Sequence, residues 1–66
     1  MAAGQYYPAY KGSLPLAVAL DTLGIDSSFA FRKEIAQANG IVGYRGTYDQ
    51  NIKLLNLLKT GRLRRA

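Results

Sequence analysis

Between Asn39 and Asn51 the chain reads NGIVGYRGTYDQN, and side chains able to recognise a ligand are densest here: Tyr44 and Arg45 between Gly43 and Gly46, then Thr47, Gln50 and Asn51. An aromatic face beside polar donors is the combination that sugar or peptide recognition uses. Gly40 reads as a helix stop and Gly46 as the turn into Thr47. Gly43 has no such duty, so Tyr44 and Arg45 are expected on an exposed loop. The glycine spacing fits neither common phosphate loop, and no strand pattern precedes it. Upstream, Arg32, Lys33 and Glu34 read by default as a solvated helix face. They join a site only if folding brings them beside Tyr44.

Bond-making chemistry is harder to find. The chain has no histidine and no cysteine, which removes the usual general base, the thiol nucleophile and the common zinc ligands. Its acids are Asp21, Asp26, Glu34 and Asp49, two of them where helix caps want them. A paired-carboxylate hydrolase needs a cleft, and a domain this small has little room for one. The expectation is a non-catalytic binding module with no cofactor and no metal.

Sixty-six residues make one domain with a marginal core, since a chain of this size buries only about 60% of its unfolded surface. Without cysteine there is no disulfide to reinforce it. No apolar run approaches the roughly 20 residues that span a bilayer, so no membrane partner is expected. The net charge of +5 is concentrated at one end: Lys59, Arg62, Arg64 and Arg65 carry four of the charges, leaving +1 for everything before them. It reads as a basic tail, a solvated end that adds affinity for polyanions.

The elements that must position the side chains are three short helices. SLPLAVALDTLG offers Ser13 as N-cap, Pro15 in the first turn, a Leu16, Leu20, Leu23 stripe and a glycine stop. DSSFAFRKEIAQANG opens on Asp26, Ser27 and Ser28 as competing caps and carries Phe31, Ile35 and Ala38 at helical spacing. TYDQNIKLLNLLKTG pairs Thr47 with Gln50 as a capping box and sets Asp49 in the first turn, with Ile52, Leu55 and Leu58 as the buried stripe. Leu54 and Leu57 widen that stripe beyond what three short helices bury, which predicts contact with a second copy or with the N-terminal arm. Each helix ends in glycine followed within two residues by an apolar side chain. The helices are expected over residues 13–23, 27–39 and 47–60. Ahead of them, MAAGQYYPAYKG has no period, and its Tyr6, Tyr7 and Tyr10 are too aromatic for a plain linker. The predicted fold is therefore all-α, a small three-helix bundle with an extended aromatic arm: residues 1–12 linker or arm, 13–63 domain, 64–66 basic tail.

The segments DSSFAFRKEIAQANGI and Tyr44, Gly46, Thr47, Gln50, Asn51, Leu54 to Lys59, Gly61 and Leu63 resemble a C-terminal module of phage endolysins and bacterial cell-wall hydrolases. YYPAYKGS is similar to the linker that precedes it. More distantly, the chain is similar to three-helix cell-wall-binding repeats of phage muramidases, with an Arg-Lys pair on the second helix and Gln and Asn on the third. Tyr48 and Asp49 depart from the small residues expected there. The resemblance implies attachment to peptidoglycan or an associated wall glycopolymer, with hydrolysis done by a catalytic domain of a parent protein, and a homo-oligomer as one way to gain avidity. It implies a ligand site of Arg32, Tyr44, Thr47, Gln50 and Asn51, Arg32 meeting a muramyl-peptide carboxylate. It also implies residence in the host cytoplasm before lysis and at the cell wall afterwards. Two other readings stand beside it: a small basic helical DNA-binding domain, and an oligomerisation or protein-interaction module. In a helix-turn-helix the recognition helix follows a turn of about three or four residues. GIVGYRG is longer, and IKLLNLL is apolar, so nucleic acid is not the expected partner.

Overall fold

Leu14 precedes a proline, whose ring disfavours helical backbone in the residue before it. The first helix, α1, consequently starts only after Pro15 and runs Leu16–Thr22. Pro15 is the N-cap, with no side-chain cap bond, and its carbonyl accepts the amide of Ala19 at 2.9 Å. This corrects the expectation that Ser13 caps the helix and that proline sits inside its first turn. In this computed structural model, which describes residues 5–66, two further helices follow: α2, Phe29–Ala38, and α3, Tyr48–Lys59. The fold is all-α, and none of its helices among the described residues is long and apolar enough to cross a membrane.

Among the three candidates for the α2 cap, Ser28 takes the position, its Oγ accepting the amide of Phe31 at 3.2 Å. Asp26 instead accepts the amide of Ser28 at 2.9 Å, forming the turn that leads in. That backbone bond, with a side-chain bond from Ser28, holds the Asp26 carboxyl below its ordinary pKa. The α3 capping box is present in both directions: Thr47 Oγ1 accepts the Gln50 amide at 3.2 Å and Gln50 Oε1 accepts the Thr47 amide at 3.3 Å. All three helices close with the same pair of bonds. Gly24, Gly40 and Gly61 donate to Asp21, Gln37 and Leu58, while Ile25, Ile41 and Arg62 donate to Leu20, Ala36 and Leu57.

The largest fully buried side chains are Leu20, Ile35, Leu54, Leu58 and Leu63, with α1 lying against α3. The stripes are shifted from those expected: Leu23, Phe31 and Ile52 are only partly buried, Ala38 is exposed, and Ala36 and Leu54 take the inner positions. The arm packs against the C-terminal part of α3 and the segment after it. Tyr10 donates its amide to Leu58 O at 3.1 Å, Tyr7 to Leu63 O at 2.9 Å, and Arg65 returns a bond to Gln5 O at 2.8 Å. An isolated antiparallel bridge joins Tyr6 to Arg64. Tyr7 and Tyr10 are buried, so the arm is one of the two contacts expected for α3, while Ile52 and Leu57 stay partly exposed. Its expected residues 1–4 lie outside the described part of the chain. The C-terminal end is held as well as charged: the Arg65 guanidinium lies 4.8 Å from the Tyr7 ring centroid and Arg64 5.8 Å from that of Tyr6.

Candidate functional site

The connector between α2 and α3 turns on Gly43 and Gly46, both at φ +73°, a backbone region that a side chain with Cβ enters only at a cost. Gly43 therefore has the structural duty that its sequence position did not reveal. Between these two turns Tyr44 points inward and is only 4% exposed. The expectation of an exposed Tyr44 platform is thus corrected. Beside this connector the rings displayed outside are Tyr48, 77% exposed, and Phe29, 48% exposed. Arg45 is exposed as expected.

The inward turn succeeds because the Tyr44 hydroxyl finds partners on both neighbouring helices. It accepts a bond from Arg32 Nη1 on α2 at 3.0 Å and donates to Asn51 Oδ1 on α3. Its ring packs beside Phe29, with centroids 5.6 Å apart. Gly46 is needed for its backbone conformation rather than for space, since a Cβ there would meet Phe29 Cε1 at 3.4 Å, an ordinary van der Waals distance. Gln50 Oε1 serves the Arg45 amide at 2.8 Å in addition to its capping bond. Long contacts of 3.4 Å join Gln50 Nε2 to Gly43 O and Asn51 Nδ2 to Gly46 O.

Folding thus brings Arg32, Tyr44, Thr47, Gln50 and Asn51 together, as one hydrogen-bonded brace around the connector. Most of their polar capacity is spent internally: Thr47 and Gln50 cap α3, Asn51 holds Gly46 and Tyr44, and the Tyr44 ring is inside. Arg32 is the exception. Its Nε donates to Ser27 O at 2.9 Å and its Nη1 to Tyr44 OH, which uses two of the five donors of a guanidinium. Both acceptors are neutral, and the side chain is half-buried. The guanidinium carbon lies 5.9 Å from the centroid of the Phe29 ring. The arrangement is a cation in fixed orientation with free donors beside a half-exposed ring, suited to a planar anion such as a carboxylate.

Phe29 and Ser27 are the contributors that sequence reasoning missed. Phe29 stands three residues before Arg32, a spacing that puts two side chains on one helical face, and that signal was available. Ser27 acts through its backbone carbonyl, which residue type does not disclose. On the other side of the connector a shallow groove of about 340 Å³, lined by Ile41, Val42, Asp49, Gln50 and Lys53 among others, touches only Gln50 of the expected residues. No group of three or more His, Cys, Asp or Glu among the described residues could hold a metal ion.

The chain is similar to an L-alanyl-D-glutamate peptidase of Listeria phage A118, with 46% identity over 50 residues. No family model matches the chain, and no solved structure matches it. The shared segment is 76% of this chain and 18% of the phage peptidase, so the chain spans less than a fifth of that relative.

Proposed function

We propose that this chain is a non-catalytic module that binds peptidoglycan and holds a phage lysis enzyme at its substrate, at the bacterial cell wall once the host cytoplasm has been breached. The observation that carries the reading is Arg32, a half-buried guanidinium anchored by Ser27 O and Tyr44 OH and bonded to no carboxylate of its own chain among the described residues. The similarity to a peptidase named for the alanyl-glutamate bond supplies the matching anion: a glutamyl residue in a peptide keeps one carboxyl free. The free donors of Arg32 pair with that carboxylate, and the Phe29 ring covers the adjacent apolar part of the peptide. With neither histidine nor cysteine in the chain, hydrolysis is assigned to other parts of the parent enzyme. One such contact is weak, and tethering to a catalytic domain converts it into useful residence on the wall.

Retention of the 66-residue chain on purified sacculi, with excess duplex DNA as competitor, tests the proposal. Retention should persist with DNA present and fall at least about fivefold in Phe29→Ala, a loss on the order of 1 kcal/mol, while the melting curve moves little. Arg32→Lys should lose binding as well, because an ammonium keeps the charge without the fork. Displacement of the chain by DNA, or unchanged retention in Phe29→Ala, would sink the reading.

A further inference from the structure

The C-terminal segment is held along both of its edges. Leu63 O and Arg65 N face the arm, accepting from Tyr7 and donating to Gln5. The backbone groups of Arg64 between them point the opposite way, as alternation along an extended segment requires, and there they meet Asn39, the C-cap of α2. Asn39 Oδ1 accepts the Arg64 amide at 2.8 Å, while Nδ2 donates to the Arg64 carbonyl at 3.0 Å and to the Ile35 carbonyl at 2.7 Å. All of these partners are backbone groups, so they fix which end of the side-chain amide is oxygen and which is nitrogen. One amide thus clasps the end of α2 to the C-terminal segment.

The residue after Asn39 is Gly40, at φ +82°, a conformation for which the helix stop selects glycine. The same missing side chain leaves the Gly40 nitrogen unhindered as a nucleophile towards the Asn39 side-chain carbonyl carbon. Asparagine is thermolabile in general, and before glycine it is most so. The other asparagines, Asn51 and Asn56, precede Ile52 and Leu57 inside α3, where side-chain bulk and helical backbone obstruct that attack.

We propose that Asn39 is a site of spontaneous deamidation, gated by this clasp, and that the modification frees the C-terminal segment from α2. The Gly40 nitrogen bonds to Asn39 Cγ, the Cγ–Nδ2 bond breaks, and Nδ2 leaves as ammonia with the Gly40 amide proton. Water then opens the resulting succinimide at either carbonyl, giving aspartate or isoaspartate. In the closed fold the Asn39 amide is held by its three bonds and the Gly40 amide donates to Gln37 O at 3.2 Å, so reaction waits for local opening. Afterwards a carboxylate oxygen stands where Nδ2 stood, against two carbonyl oxygens and at the negative end of a helix. Arg62 and Arg64 line the same groove as Asn39, but as exposed cations they offset only part of this. The inference does not depend on the role of Arg32.

Ageing of the intact chain at one pH and temperature, with and without urea, followed by peptide mass mapping and isoaspartate detection, is the test. In urea Asn39 should deamidate ahead of Asn51 and Asn56, and in the folded chain its rate should be at least about tenfold lower. Tyr6→Ala removes the ring beside the Arg64 guanidinium and should raise the folded-state rate about threefold or more. Asn39→Asp, the product itself, should melt at least about 5 °C below the parent. If that variant does not fold, aged parent separated by charge decides, and its Arg64 amide should exchange faster than in unmodified chain. Deamidation in urea no faster at Asn39 than at the other two overturns the site. Equal rates with and without urea, or in Tyr6→Ala and the parent, overturn the gate. Melting of Asn39→Asp with the parent, or unchanged Arg64 exchange in the aged chain, overturns the release.

Discussion

The sharpest consequence of the structure concerns Tyr44. Tyr44→Phe removes one oxygen and leaves the ring in place, yet that oxygen bridges Arg32 on α2 to Asn51 on α3. A hydrogen bond to a charged group contributes about 1.5–3 kcal/mol and a neutral one about 0.5–1.5 kcal/mol. Some relaxation towards water is open to the half-buried partners, so the loss should be about 2 kcal/mol. Tyr44→Ala also removes a buried ring, at about 3–5 kcal/mol, and its contact with Phe29. A domain of this length has a total stability of about 3–10 kcal/mol. The alanine variant should therefore be largely unfolded, while the phenylalanine variant stays folded and melts about 8–16 °C lower, at about 4–8 °C per kcal/mol for a domain of this size. Far-UV circular dichroism melts of the three proteins measure this directly. Retention on sacculi adds a second readout: Tyr44→Phe should also weaken binding at temperatures where it is fully folded, because Arg32 loses the partner that orients it. A Tyr44→Ala variant that melts within a few degrees of the parent would show that the ring is not core and refute the reasoning.

Thr47→Ala should cost about 1 kcal/mol, the usual effect of losing an N-cap hydroxyl, and speed amide exchange in the first turn of α3 without changing binding below the melting range. Asp26 has its folded pKa below the ordinary 3.8, so its contribution to stability is fully present above that unfolded value and is lost as pH falls through the folded one. Asp26→Asn should flatten the acid limb of the stability curve below about pH 4. Deleting Arg62 to Ala66 should unfold the domain, since the cut removes Leu63, 0% exposed, together with the clasp on Tyr7 and Gln5. Deletion of Arg65 and Ala66 alone should lower the melting temperature by only a few degrees, and melting curves of the two truncations distinguish a clasp from a solvated tail.

What the sequence disclosed is what lies within four or five residues of itself. The Thr47–Gln50 box and the three glycine-terminated helix ends are local hydrogen-bond solutions, and residue type at a fixed offset is enough to find them, whereas for α2 the same rule left Asp26, Ser27 and Ser28 in competition until the structure placed Ser28 at the cap. The direction of Tyr44 is a different kind of fact. It depends on two backbone turns at Gly43 and Gly46 and on partners 12 residues before and 7 residues after it, so a tyrosine between glycines reads as exposed until those partners are placed. The arm was legible only as an aromatic segment that could meet α3: Tyr7 is recognised as core only once Leu63, at the other end of the chain, lies beside it. Ser13 failed as a cap because Pro15 constrains Leu14 more strongly than a serine favours helix initiation.

If the proposed reading holds, the brace around the connector also decides which residues can carry recognition. Thr47, Gln50 and Asn51 already satisfy backbone groups, so a ligand that took their hydrogen bonds would have to reimburse those groups before gaining anything. Arg32 has no such obligation on its free edge. Holding a guanidinium half out of water costs free energy, and the two neutral oxygens that fix it return only part of that cost. A ligand carboxylate supplies the missing countercharge to a group whose orientation is already set, so little ordering entropy remains to be lost on binding. The same fixed cation would gain much less from a neutral sugar. On this reasoning amidation of the free glutamyl carboxyl should weaken the Arg32 contact about tenfold, the difference between a charge-assisted and a neutral hydrogen-bonded pair, whereas trimming the glycan should matter little at this site. Competition by soluble muropeptides with free and amidated carboxyls measures that ratio, and equal potency of the two would place recognition somewhere other than Arg32.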